Sequence, residues 1–308
     1  EERLSSAVLN YNTLYPNFVT KANGLIPQGN GLSSRTNRFV SAYANMAYTY
    51  LGRYTLSASA RKDASNLFGL STNDKWRPLW SIGAAWNIAA EEFAKASWVN
   101  ELKLRASYGY SGNVDLGRSA LTTITGSQTS PFTNTIMSRF GQFANPELRW
   151  EKVATTNIGL DFSLLQQRLS GSIELYQKNA TDLYGNSVVD YTALPSPSLI
   201  KNVASIRARG VDIALNSVNT KGLLGWSTQL NLNLYRDEVM DYYPPSNLGA
   251  NFVGSGIVAS PLKGYPVYSV FSYRFAGLDP ANGNPLGYVN GVVSSDYAAI
   301  INTTKVGE

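Results

Sequence analysis

The sequence predicts an all-β chain, an antiparallel sheet of about nine strands that forms part of a transmembrane β-barrel. Three observations lead there. Segments alternate strictly between apolar and polar side chains, the aromatic residues sit on the apolar parity near segment ends, and the connections between segments run alternately long and short.

The alternation is clearest between Leu51 and Ser111. Arg53-Tyr-Thr-Leu-Ser-Ala-Ser-Ala-Arg61, Trp80-Ser-Ile-Gly-Ala-Ala-Trp-Asn-Ile88 and Glu101-Leu-Lys-Leu-Arg-Ala-Ser-Tyr-Gly109 each place one greasy and one polar side chain in turn. A period of two is a strand with two unlike faces. A soluble half-buried strand gives the same pattern, so the aromatics decide. Tyr54, Trp80, Trp86, Tyr108 and Tyr110 all lie on the apolar parity with Ala and Gly between them, as in the girdles around the apolar band of a lipid-facing barrel.

Taken in order, residues 1–34 read as loop, with Pro16, Pro27, Gly29 and Gly31 and no sustained period. A first strand is expected from Arg38 to Leu51, and Gly52 turns it into the second. An irregular stretch from Lys62 to Pro78 precedes the third strand at Trp80, and Glu91 to Trp98, with one helical turn, leads to the fourth at Leu102. A long excursion from Gly112 to Trp150 follows. Thr156–Ser163 and Leu169–Tyr176 are the fifth and sixth strands, joined by only Leu164 to Arg168. Asn179 to Arg209 reads as long again, Val211–Leu215 as the seventh strand, Val218 to Gly225 as short and Trp226–Leu234 as the eighth. Residues 236–265 are long, Val270 to Ala276 is the ninth strand, and Leu278 to Pro285 is turn chemistry. Short turns at one end and long loops at the other suit a single-chain outer-membrane barrel, whereas Greek-key connections have no reason to sort this way. Nine strands do not close such a barrel, so a larger one is expected.

Composition closes most other classes. The 308 residues contain no cysteine and no histidine, which removes disulfides, thiolate metal sites and imidazole-dependent triads. The excess of 26 Lys+Arg over 21 Asp+Glu is small and scattered, so no nucleic-acid partner is expected. No catalytic, metal or cofactor site is expected. Asp237, Glu238 and Asp241 cluster beside the eighth strand, but no second carboxylate sits on an opposing element, and the chain is not read as an enzyme. It starts at Glu1 with neither Met nor signal peptide, and is expected to be a piece of a longer precursor.

Several ordered motifs carry a resemblance. They are Arg61-Lys-Asp-Ala-Ser-Asn-Leu-Phe-Gly69, Trp80 to Ile88 with Glu91-Glu-Phe93, Leu102 to Asn113, Asn145-Pro-Glu-Leu-Arg-Trp-Glu151, Asn157-Ile-Gly-Leu-Asp-Phe162, Arg209-Gly-Val-Asp212 and Gly277 to Pro285. Over about residues 35–290 the series resembles the barrel of SusC/RagA-type TonB-dependent transporters of Bacteroidetes. The resemblance implies a 22-stranded barrel with a plug, in the bacterial outer membrane, importing oligosaccharides or peptides. It also implies a SusD-like surface lipoprotein as lid, TonB–ExbB–ExbD as energy source and outer-membrane lipid around the barrel. On that reading residues 1–34 are a leading loop, 35–290 part of the receptor barrel and 291–308 its truncated end. Plug, TonB box, early strands and a final aromatic strand are missing from the pattern, and the piece alone is not expected to transport. A passive porin-like barrel and a soluble secreted β-rich adhesin or carbohydrate-binding module are the alternatives.

If the apolar parity faces lipid, the other lines a lumen. Its candidates are Arg61, Lys103, Arg105, Asp161, Glu174, Lys178, Asp212 and Arg274. They fit a polar conduit and plug-docking wall, and equally cross-strand ion pairs within a wet interior. Arg105 is expected to lie near Asp161. Trp76, Trp150, Tyr184, Tyr191, Tyr242 and Tyr243 are candidate contacts for cargo on outer loops, since a flat ring stacks on sugar or peptide while neighbouring polar groups orient it. Loop packing would use the same aromatics.

Overall fold

Runs such as Tyr54 to Arg61 hold aromatic and small residues at a two-residue period without proline, so every backbone N–H and C=O is available to a ladder. The computed structural model describes residues 2–6, 14–16, 23–25, 33–37, 39–65, 76–113, 122–129, 132–133, 135–143, 145, 147–188, 192, 198–242, 246–253 and 261–306. Strands β1 (Glu2–Ser6), β2 (Leu14–Pro16), β3 (Asn23–Leu25) and β4 (Ser33–Asn37) form two small ladders, β1 with β4 and β2 with β3. The leading segment is therefore not all loop.

The main body is one antiparallel meander. Strands β5 (Phe39–Tyr50), β6 (Tyr54–Ser65), β7 (Trp76–Asn87) and β8 (Val99–Asn113) pair in sequence. Strands β9 (Thr123–Thr129) and β10 (Ile136–Gln142) form a separate hairpin in the excursion that follows. The meander resumes with β11 (Glu151–Leu164), β12 (Leu169–Val188), β13 (Ser198–Thr220) and β14 (Trp226–Asp241), giving eight strands in one sheet with β5 and β14 at its edges. Leu51 and Gly52 both take positive φ, 52° and 68°, and Arg53 N donates to Tyr50 O at 3.0 Å. Two successive left-handed residues are the primed turn whose twist matches a hairpin.

Two expectations need correction. Val270 to Ala276 is not a ninth strand; the segment joins no ladder of the main sheet and runs, through Ala276 N donating to Leu286 O at 2.8 Å, into a small sheet of β15 (Gly277–Leu278), β16 (Pro285–Val289) and β17 (Val292–Ser294), followed by helix α1 (Tyr297–Thr303). The chain just before it, residues 263–267, folds back on the end of β14, where Val239 N donates to Tyr265 O, Gly264 N to Val239 O and Val267 N to Asp237. Nor is 179–209 one long loop. β12 and β13 stay paired up to Val188 and Ser198, and register shifts around Leu183 break the period there.

Following the registered pairs from strand to strand separates two faces. One carries Met46, Leu56, Ile82, Leu104, Ile158, Ile173 and Leu232, and these residues are 37–66% exposed. Aromatic clusters bound this band. Trp80 packs with Tyr108 and Tyr110 at 5.7 and 5.5 Å, and Tyr54 stacks on Trp86 at 6.4 Å. Trp80 and Trp86 lie about 20 Å apart along an extended strand. Beneath the band, at the short-turn end, 3₁₀ turns at Ile88–Ala90 and Glu92–Ala94 form the expected helical turn.

Candidate functional site

The opposite face is polar, and its centre is Arg105. On this face Arg105 stands directly across from Gly159, which stands across from Glu174. A side chain at 159 would meet the guanidinium, since a Cβ built there lies 3.2 Å from Arg105 Nη2. Glycine thus lets Arg105 lie across β11. There it donates from Nε and Nη2 to the two oxygens of Asp161 at 2.6 and 2.8 Å, and from Nη2 to Glu174 at 3.0 Å. Asn157 donates to the other Glu174 oxygen at 3.0 Å. The fork matches one carboxylate in bidentate fashion and bridges to the second. Every member is partly wetted, with the side chains of Arg105, Asp161 and Glu174 at 38%, 26% and 29% exposure.

The cluster extends sideways. Glu174 faces Asp212 directly across β12 and β13, a like-charge pair relieved by Arg105 on one side and by a hydrogen bond from Asn233 to Asp212 on the other. At the next pair along the same face Tyr176 lies over Gly210, whose missing side chain makes the room: a Cβ there would sit 2.3 Å from the phenol. Lys178 lies 5.3 Å from the Tyr176 ring centre. Towards β5, Arg61 donates to Asp63 at 2.6 Å and to Ser41 at 3.1 Å. Lys103 faces Asp161 in register, while the Asp161 oxygens are held by Arg105. Arg61, Lys103, Arg105, Asp161, Glu174, Lys178 and Asp212 therefore share one face. Arg274 does not; it lies 4.7 Å from the Tyr288 ring in the segment after the sheet.

Sequence reasoning missed the neutral members Asn157, Gly159, Gly210 and Asn233. Their signal was present in the motifs. In Asn157-Ile-Gly-Leu-Asp-Phe162 every second residue serves the Arg105 cluster, and in Arg209-Gly-Val-Asp212 the glycine and aspartate do the same.

Ahead of β11, Asn145 and the residues from Leu148 to Trp150 are tied down. Asn145 donates to Ile200 O at 2.7 Å, and Asn202 takes Arg149 N at 3.0 Å while donating to Arg149 O at 2.8 Å. Arg149 and Lys152 both pair with Asp182. Leu148 and Trp150 are buried, at 0% and 6% exposure, with Tyr184 and Ile200 packed against them. Of the candidate cargo aromatics, Trp150 thus belongs to a small core, and Tyr184 lies within β12 and donates its hydroxyl to Arg149 O at 2.9 Å. Trp76 begins β7. Tyr242 follows β14 and, with Tyr184 and Asn186, lines a cleft of about 310 Å³. Tyr191 and Tyr243 lie outside the described residues.

Asp237 and Glu238 lie on opposite faces of β14; Asp237 accepts from Val267 N at 2.8 Å, and Asp241 accepts from Ser205 and from Lys263, both at 3.1 Å. Asp279 accepts from Ala281 N and Asn282 within its turn.

At the short-turn end Glu91 is a lock. It accepts from Tyr54 at 2.6 Å, Arg53 at 2.9 Å and Trp86 at 3.2 Å. These hydrogen bonds, led by that from Tyr54, hold its carboxyl below the usual range against an opposing burial effect.

A family model described as TonB dependent receptor-like, beta-barrel, matches residues 3–305. TonB-dependent receptor P39 of Formosa agariphila is 31% identical over 250 residues, covering 79% of this chain and 23% of that protein. TonB-dependent receptor SusC of Bacteroides thetaiotaomicron is 26% identical over 267 residues, 81% of this chain and 26% of that protein. The RagAB peptide transporter structure superposes with a TM-score of 0.75 at 24% identity over 89% of this chain and 30% of that one. That likeness shows a common fold. The chain spans about a quarter of the length of these curated relatives.

Proposed function

Because the chain belongs to the TonB-dependent receptor-like β-barrel family, we propose that it forms part of the barrel wall of a SusC-like active importer in the bacterial outer membrane. The observation that carries this reading is the meander with two unlike faces: an exposed aliphatic band between aromatic clusters on one side, a hydrogen-bonded polar surface on the other. Lipid covers the first, and the second lines the lumen with Arg105 at its centre. Further strands close the sheet at β5 and β14, since an open edge in lipid leaves backbone groups unpaired. A plug, a SusD-like lipoprotein lid and TonB–ExbB–ExbD complete the machine, and oligosaccharides or peptides are its cargo. Tyr242, Tyr184 and Trp76 belong to its outer rim. Family members are transport receptors rather than enzymes, and no catalytic role is assigned here.

The test uses the intact protein in its own cell. Deleting its gene is expected to abolish growth on one class of oligosaccharide or peptide while growth on the monomers persists, and depleting TonB is expected to do the same. The tagged protein should bring down a SusD-like lipoprotein in mild detergent. Uptake that survives TonB depletion, together with passive entry of small solutes into liposomes, would instead establish the porin-like alternative.

A further inference from the structure

On the apolar face, walking away from the short turns, β13 and β14 present Ile213 opposite Leu232, Val211 opposite Leu234, Arg209 opposite Arg236 and Arg207 opposite Glu238. The band ends and two guanidinium groups face each other. Like charges directly opposite on one sheet face are destabilising unless an anion lies between them. Glu238 is the sole carboxylate on these registered pairs, and none of the four charged side chains forms an ion pair among the described residues. Gln177, opposite Arg209 on β12, accepts from its Nε at 3.1 Å, which orients that fork and leaves its terminal nitrogens open. Arg207 keeps a buried Nε–H without a partner. Three cations against one anion, at the edge of an aliphatic band and outside the polar face, have no role in a conduit.

We propose that Arg207, Arg209 and Arg236 form a site on the outer wall for the phosphate groups of anionic lipid. The site rests on the reading that the apolar face meets lipid. Leu234 and Val211 form the next pair on the same face and meet the acyl chains, while the paired guanidinium groups take the phosphate through charge-assisted, fork-shaped hydrogen bonds. Ordered lipid there would relieve the repulsion between Arg209 and Arg236 in the folded wall.

The intact protein is placed in nanodiscs of phosphatidylcholine alone, of phosphatidylcholine with bisphosphorylated lipid A, and with lipid A stripped of both phosphates. Thermal unfolding and native mass spectrometry are the readouts, with heat-modifiable gel mobility to verify folding. Bisphosphorylated lipid A is expected to raise the unfolding midpoint and to be retained; the stripped lipid is expected to do neither. Retention should fall about fivefold for each arginine removed in Arg207→Gln, Arg209→Gln and Arg236→Gln combined. Arg236→Gln alone should raise the midpoint in phosphatidylcholine, by removing the repulsion, and shrink the gain from lipid A. That opposed pair of shifts decides the matter even if the triple variant does not fold. Millimolar inorganic phosphate should not displace the lipid; displacement would mark a plain anion site and overturn the lipid assignment. Equal retention of stripped lipid, or by the variants, would overturn the site while leaving the barrel reading intact. A protein that never enters nanodiscs overturns both.

Discussion

Glu91 shows how one side chain joins distant pieces of sequence. It sits beyond β7 yet holds Arg53 and Tyr54 at the start of β6 and Trp86 at the end of β7, so a single carboxylate fastens the short-turn end of two paired strands. Its folded carboxyl titrates below the ordinary value, so its contribution is fully present above the unfolded pKa of about 4.3 and is lost as pH falls through the lower folded value. Comparing unfolding midpoints of the protein and of Glu91→Gln should therefore show a constant difference between about pH 7 and pH 5 that closes in more acid buffer. A difference that widened with acid would contradict this linkage. The sequence marks Glu91 only as one of two adjacent glutamates after a strand. Which of them turns inwards was not legible, because that depends on the tight 3₁₀ turns and on where Trp86 and Tyr54 meet in space.

At the scale of elements, the β12–β13 pair explains a motif. In Arg209-Gly-Val-Asp212 the alternation sends Arg209 and Val211 to one face and Gly210 and Asp212 to the other, and the glycine is required where Tyr176 crosses. Gly210→Ala should push the Tyr176 ring aside and destabilise the folded sheet by about 1–3 kcal/mol, read as a lowered unfolding midpoint. Tyr176→Ala in the same chain should recover part of the loss, and the absence of recovery would show that the clash lies elsewhere. The same pair shows where alternation misleads. Asp182 has φ of 57°, the register slips beside it, and a reading based on strict alternation ends the strand at Tyr176 although pairing continues to Val188. Bulges are invisible to a period count because they shift the parity of everything beyond them.

For the whole molecule, the distinction between faces is the claim most open to test. Leu232 lies in the exposed aliphatic band, and Asn231, its neighbour, lies on the polar face. Leu232→Arg should cost about 2–4 kcal/mol in a bilayer, whereas Asn231→Arg should cost little, because only the first places a charge against lipid. Refolding yield into vesicles as a function of urea measures both. Equal costs would mean that neither face meets lipid, and the barrel assignment would fall with it.

The amino-acid order by itself determined the two-faced strands and the side on which Arg61, Lys103, Arg105, Asp161, Glu174, Lys178 and Asp212 emerge. These follow from local geometry: a two-residue period needs no knowledge of neighbours. The tertiary structure alone decided that Val270 to Ala276 stays out of the main sheet, that Trp150 is buried in a small core, and that Glu174 takes Arg105 and Asn157 while the facing Asp212 takes Asn233. Each of these depends on which strand lies alongside and in what register. Cross-strand pairing is set by the sum of contacts along whole ladders, and no local stretch of sequence contains it.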